Sequence, residues 1–506
     1  MTMTSRVAGL VRDMVIASFI GATDNSDAFL VAFRIPNFLR RLTSEGAFSQ
    51  AFIPVLAEYK AAGNMAATKA LIDRVSGVLG GVLLFITAIS MLAAPLIATI
   101  FAPGFLSQPE KFRLTSEMIR ITFPYLFLIS LTGFCGAVLN SFGKFAVAAF
   151  APVYLNLSLI FAALVAAPWF DQPVVALAWG VLLAGVVQLL SQLPSMHRIH
   201  LIPRPRWDTK DEGVRRILKL MVPALFGVSV SQVNLLVDTV LASFLPGGSV
   251  SWLYYSDRLT ELPLGIFGIA IATVILPNLS AHRASAREGH FSATLDWAMR
   301  WILLIGLPSS LALIVLAEPI LITLFKHGAM TARDVDMSAL SLRGLSVGLI
   351  AFMLIKVWAP GFYAHMDTRT PVKIGITAMV ANMVMNPLIA LPLMYLWNIG
   401  HVGLALSTSL AAMLNGSLLL RGLLRAGYYR FEPGWPRFAL RLLLSAAAMV
   451  GVLLWLSPDA SVWLEWQWQR RVPMLLILCC AGLVAYFGSL LLLGIRMSHL
   501  RAPAEA

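Results

Sequence analysis

Fourteen stretches of mostly apolar residues, each long enough to cross a bilayer, follow one another with only short intervals between them. A membrane-spanning helix needs about twenty such residues. The first six lie near 3–21, 25–56, 75–102, 116–143, 147–169 and 173–196. Six more lie near 216–246, 250–280, 297–325, 334–364, 371–397 and 400–425, and the last two near 437–457 and 472–495. Of the 506 residues, 58% are hydrophobic and 12% charged, and the mean hydropathy is +0.80. A soluble domain is about 45–50% apolar and about 25% charged. The surplus cannot be packed into one core, so the chain is an all-α polytopic membrane protein. Disorder, a disulfide scaffold and a secreted enzyme are excluded on the same grounds.

The net charge of +13 comes from basic residues in short loops, with no basic domain, so nucleic acid is not a partner. With an even number of spans, both termini share one side. Loops on that side carry twenty Lys and Arg, from Lys60 to Arg501, against six on the other: Lys111, Arg113, Lys326, Arg333, Arg470 and Arg471. The positive-inside bias therefore puts both termini in the cytoplasm. Cys135, Cys479 and Cys480 sit in apolar runs without metal-ligand spacing and read as small hydrophobes.

An internal repeat organises the spans. Residues 11–20, VRDMVIASFI, match 236–245, LVDTVLASFL, at an offset of 225. Phe52-Ile53-Pro54 then resembles Ile275-Leu276-Pro277 at the same place in each six-helix set. Because six is even, the copies keep one orientation, as in parallel-repeat transporters. The expected organisation is two six-helix lobes, 1–212 and 213–430, with two extra helices and a tail in 431–506.

Ionisable residues within spans are expensive unless they meet a partner or a cavity. Windows one and two hold Arg6, Arg12, Asp13, Asp27, Arg34, Arg40, Arg41 and Glu45, and window eight holds Asp257, Arg258 and Glu261. Arginines outnumber acids in the first two windows, five to three. A water-filled, positively lined cavity accounts for this, and guanidinium forks suit phosphate oxygens. The cargo expected is anionic and phosphorylated. The alternative is internal pairing, of Arg12 with Asp27 and of Arg258 with Asp257 or Glu261. Asp238, Asn382 and Asn386 offer oxygen ligands to a small cation such as sodium, but interhelical hydrogen bonding explains them as well. Trp463, Trp466 and Trp468 read as an interfacial aromatic belt. No nucleotide-binding loop, nucleophile elbow or paired catalytic histidine occurs, so the chain is not an enzyme.

The N-terminal runs SRVAGLVRD and SDAFLVAFRIPNFLRRLTSEGAFSQAFIPVLAEYK resemble the MurJ (MviN) family of lipid II flippases. The likeness continues through SWLYYSDRLTELPLGIFGIAIATVILPNLS and KVWAPGFYAHMDTRTPVKI and spans essentially the whole chain. It implies the fold of the multidrug/oligosaccharidyl-lipid/polysaccharide exporter superfamily and movement of an undecaprenyl-diphosphate-linked disaccharide-pentapeptide to the periplasmic leaflet by alternating access. The alternative cargo is another lipid-linked glycan or a drug. The resemblance implies that Arg6, Arg12, Arg40, Arg41 and Arg258 engage the head group. It assigns gating or ion pairing to Ser5, Asp13, Asp27, Glu45 and Glu261. Helices 13 and 14 would hold the polyprenyl tail. The implied partners are lipid II, membrane lipids and cell-wall synthesis enzymes. No cofactor is implied; the membrane potential or a monovalent ion would bias the cycle.

Overall fold

A computed structural model describes residues 2–41, 48–268, 271 and 288–495. They are helical almost throughout. The chain divides into two compact units, Met1–Ser251 and Trp252–Ala506.

The first unit contains α1 (Thr2–Ile20), α2 (Asp24–Arg40), α3 (Phe48–Ala61), α4 (Met65–Leu92), α5 (Ala94–Phe101), α6 (Pro109–Thr122), α7 (Pro124–Ser141), α8 (Phe145–Phe161), α9 (Val175–Arg198) and α10 (Glu212–Ala242). Local chemistry sets the boundaries. Gly21, at φ +63, takes the left-handed conformation that ends α1. Thr23 then starts α2 through a capping box with Ser26. Pro124 sits in the first turn of α7, where its missing N–H costs nothing, and so splits window four into α6 and α7. Inside this unit α2 packs on α6, α1 on α8, and α9 on both α7 and α8. A core of Phe48, Phe52, Phe134, Val75 and Ile217 joins α3, α4, α7 and α10. The Phe52 and Phe134 ring centroids are 5.2 Å apart.

The helix α11 (Ser249–Pro263) leads into the second unit. This contains α12 (Glu288–Val315), α13 (Ala317–Phe325), α14 (Ala332–Val347), α15 (Leu349–Tyr363), α16 (Arg369–Trp397), α17 (Gly400–Arg425), α18 (Trp435–Leu456), α19 (Ala460–Glu465) and α20 (Trp468–Leu492). The order of broken helices in the first unit recurs here. The α4/α5 break at Ala93 corresponds to the α12/α13 break at Leu316, and the α6/α7 break at Phe123 to the α14/α15 break at Gly348. Gly403 lets α17 approach α16: a Cβ there would lie 2.4 Å from the Ala390 Cα.

Among the described residues, ten helical stretches are long and apolar enough to cross a membrane by length and composition. The four expected windows outside that set are 3–21, 25–56, 216–246 and 250–280. Their helices carry charges or run into residues outside the description.

One aromatic expectation is corrected in part. Trp463 is fully buried, with its ring 5.3 Å from that of Trp466, while Trp468 is exposed. Beside Trp463 lies Arg471, a buried residue in the first turn of α20. Its guanidinium donates to the carbonyls of Trp463, Leu464, Ile322 and Lys326 at 3.1–3.3 Å. The last two carbonyls belong to the C-terminal turn of α13, where a cation is favoured. Arg471 thus ties the extra helical hairpin to α13.

Candidate functional site

Arg12 and Asp13 are buried on α1, at 4% and 1% exposure. The Arg12 Nε and Nη2 both donate to Asp13 Oδ1, at 2.9 and 2.6 Å. Its Nη1 donates to Asn156 Oδ1 on α8 at 3.0 Å. The Asn156 amide in turn donates to the Ser5 carbonyl at 3.2 Å. One neutral amide therefore orients the guanidinium and anchors the first turn of α1. Arg6 is half-buried nearby in sequence, on the same helix.

On α2, Arg34 donates to Thr239 Oγ1 of α10 at 2.7 Å, and Arg40 Nε to Asn37 Oδ1 at 3.3 Å. Arg41 is exposed. Glu45 lies outside the described residues.

Asp27 is a densely partnered carboxylate. It accepts from the backbone N–H of Gly248 at 2.8 Å and of Ser251 at 3.0 Å, and from Ser251 Oγ at 2.7 Å. Those amides are the first orphan donors of α11, and a helix N-terminus favours an anion. Lys111 Nζ completes the arrangement, 3.2 Å from Asp27 Oδ2, 2.7 Å from Asp24 Oδ1 and 4.2 Å from the Phe105 ring centroid. Lys111 sits in the first turn of α6, where a cation opposes the helix dipole. Two carboxylates offset that cost. Asp27 thus pairs with Lys111, and Arg12 with Asp13, where the sequence had suggested Arg12 with Asp27.

The repeat offset of 225 has a structural echo. Ser26 and Ser251, which that offset relates, touch through their hydroxyls at 2.7 Å. The same offset relates Asp27 to Trp252. In the second unit Trp252 Nε1 donates to Asp334 Oδ1 at 3.0 Å, and Asp334 stands in the first turn of α14 as Lys111 stands in that of α6. Both copies keep a buried polar contact here. The donor sits on the later helix in one copy and on the earlier helix in the other.

Arg258 on α11 donates to Glu261 Oε2 at 3.0 Å and to the Tyr254 hydroxyl at 3.3 Å, with its guanidinium 5.1 Å from that ring centroid. This is one of the two pairings the sequence offered. Its side chain stays about one-third exposed. Asn382 and Asn386 lie buried one turn apart on α16, and Asp238 is half-buried on α10 in the first unit. No group of three or more His, Cys, Asp and Glu positioned to hold a metal occurs among the described residues.

Sequence reasoning missed Asn156, Lys111, Thr239 and Tyr254. Only Lys111 left a signal: a lysine directly after Pro-Glu, in a helical first turn, calls for acidic partners.

An all-helical multi-pass chain whose spans hold paired arginines and carboxylates has the architecture of a membrane transporter. The fold aligns with an inward-facing multidrug resistance MATE family transporter of the MOP superfamily, at a TM-score of 0.65 and 16% identity, covering 83% of this chain and 94% of that one. It aligns further with a lipid II flippase MurJ in an inward closed conformation, at a TM-score of 0.80 and 25% identity, covering 96% of each chain. The family model described as lipid II flippase MurJ matches residues 16–472, and the chain belongs to that family. It is 48% identical over 512 residues to a probable lipid II flippase MurJ of Vibrio cholerae, covering 100% of this chain and 96% of that one. It is 42% identical over 513 residues to the lipid II flippase MurJ of Burkholderia cenocepacia, covering 100% and 98%. The protein is a multi-pass protein of the bacterial inner membrane and a transporter, not an enzyme.

Proposed function

We propose that this protein is a lipid II flippase, which carries the lipid-linked peptidoglycan precursor from the cytoplasmic to the periplasmic leaflet for cell-wall synthesis. The observation that carries this reading is the family match over 16–472. The anionic diphosphate of such a cargo suits the arginines of the spans. Arg6, Arg12, Arg40, Arg41 and Arg258 bind the head group in this reading. Asp13, held on Arg12, and Asp27, held on Lys111, keep those elements in register, and Ser5, Glu45 and Glu261 assist. The finer architecture is fourteen spans, in two six-helix lobes at 1–212 and 213–430, with two helices added in 431–506. The charge bias of the loops supports cytoplasmic termini. The repeat supports alternating access, which a ligand drives only by binding the two states differently.

The test is precursor sidedness in cells depleted of the protein. A membrane-impermeant enzyme added outside cleaves only outward-facing lipid-linked precursor. The protected fraction rises on depletion, falls again with the wild type, and stays high with Arg12→Ala or Arg258→Ala. Unchanged sidedness in cells that still fail refutes the cargo and brings another lipid-linked glycan forward.

A further inference from the structure

The helices α4 and α12 are each 28 residues long, and an offset of 223 brings both their ends into register. Their ninth residues are Asp73 and Asp296, 6% and 3% exposed. A carboxylate buried so deeply needs donors. In each unit they come from the stretch of chain that follows the last helix of the repeat, 199–211 after α9 and 426–434 after α17.

In the first unit the Arg204 N–H donates to Asp73 Oδ1 at 2.7 Å, and the Arg206 N–H to the Asp73 carbonyl at 3.0 Å. Lys69, one turn earlier on α4, pairs with the same carboxylate. The next residue, Arg74, reaches Asp208 at 3.5 Å and Asp211 at 2.6 Å. Glycines make the room. A Cβ at Gly77 would collide with the Arg206 backbone, and one at Gly81 with the Trp207 ring.

In the second unit Asp296 Oδ1 accepts from the Tyr429 hydroxyl at 2.7 Å, from Trp435 Nε1 at 2.5 Å and from the Glu432 N–H at 3.4 Å. Arg300, at the place of Gly77, donates from Nε to Asp296 Oδ2 at 2.7 Å and lies 5.3 Å from the Trp435 ring centroid. Ser292, at the place of Lys69, donates through Oγ to the Arg430 carbonyl at 3.1 Å and accepts from the Arg430 N–H at 3.0 Å. The surrounding side chains differ between the units. The aspartate, and the segment it grips, are common to both. None of these residues belongs to the head-group or gating set.

We infer that Asp73 and Asp296 are paired clamps. Each fixes the segment leaving its half to its own unit, and both stay closed while the transporter cycles, so that unit and segment move as one body. The gripping side chains are Asp, Lys, Arg, Tyr, Trp and Ser, none of which ordinarily changes charge between about pH 5 and 8. A proton therefore does not open either clamp. The helices α10 and α18 each start from a fixed point.

The first test is hydrogen exchange, read by mass spectrometry on the full-length protein in nanodiscs. Residues 203–208 and 429–435 should exchange more slowly than free chain. Asp73→Ala should speed exchange in 203–208 about ten- to a hundredfold, the scale of hydrogen bonds to a charged group, and leave 429–435 unchanged. Asp296→Ala should do the reverse. Gly77→Ala, which favours the helix and takes the space of the Arg206 backbone, should also loosen 203–208 alone, with melting unchanged. Fast exchange of both segments in the wild type, or protection indifferent to these substitutions, refutes the clamps.

The second test asks whether the clamp stays closed. Asp73→Cys with Arg204→Cys is joined in spheroplasts by a short membrane-permeant bifunctional thiol reagent, and Arg204→Cys alone, treated alike, controls for the reagent. The joined protein should deliver precursor to the outer leaflet at least as well as the same protein unjoined. Loss of delivery on joining shows that the segment must release, and overturns the inference. Only this second test rests on the flippase reading; the exchange measurement stands or falls without it.

Discussion

Breaking the Lys111–Asp27 contact gives the sharpest energetic test. Both side chains are almost fully buried. Removing one partner of a buried ion pair costs about 3–5 kcal/mol, because the other charge stays without compensation. Lys111→Met falls at the low end, about 3 kcal/mol, since Asp27 keeps three neutral donors from Gly248 and Ser251. Asp27→Asn costs a similar amount, about 3 kcal/mol, by turning an amide donor toward those same N–H groups. The double variant has no uncompensated charge at either position and should cost about 3–4 kcal/mol, well short of the sum. At about 2.1 cal/mol/K per residue, a unit of 251 residues loses about 6 °C of melting temperature per 3 kcal/mol. Each single variant should therefore melt about 6 °C lower, and the double about 6–8 °C lower, by intrinsic tryptophan fluorescence in detergent. Fully additive drops of about 12 °C would show that the two residues do not act on each other, and the argument would be wrong.

Three further outcomes follow from the geometry. Arg471→Leu strands four carbonyls at about 1 kcal/mol each, so the α18–α20 hairpin should become sensitive to protease in the folded protein; a cleavage pattern like the wild type's would contradict the clamp. Asn156→Leu should lower the melting temperature by about 6 °C, since it removes two hydrogen bonds, one of them to a buried guanidinium, at about 3 kcal/mol together, and should reduce complementation of depleted cells further than the equally destabilising Lys111→Met does, because Arg12 loses its orienting amide; complementation no worse than that variant's would dismiss that role. Gly403→Val should lower yield and melting temperature sharply, the added Cβ meeting Ala390 backbone that has no room to yield; wild-type stability would show that α16 and α17 can separate.

Apolar periodicity made the spans legible. The expected window at 400–425 coincides with α17, and that at 371–397 with all but the first two residues of α16. Breaks within spans were less visible. Pro124 and Pro95 stand in the first turns that follow two of them, but neither stood out in the sequence, because a proline within a span marks a kink as readily as a break. The arginines stood out because charge in an apolar run has no neutral explanation. Their partners did not stand out. Asn156 is 144 residues from Arg12, and Lys111 is 84 from Asp27. Such pairings belong to packing, which local pattern does not encode.

The reversed polarity at the repeated contact bears on how the two halves have descended. Recombination copying a short tract between halves would set Asp27 against an aspartate at 111, or Trp252 against a lysine at 334. The first juxtaposes two carboxylates, and the second gives an indole N–H no acceptor. Only a tract long enough to carry both members of a pair escapes this penalty. Within each half the two members of the contact must therefore change together. The matches that remain, ASF among them, lie outside this contact.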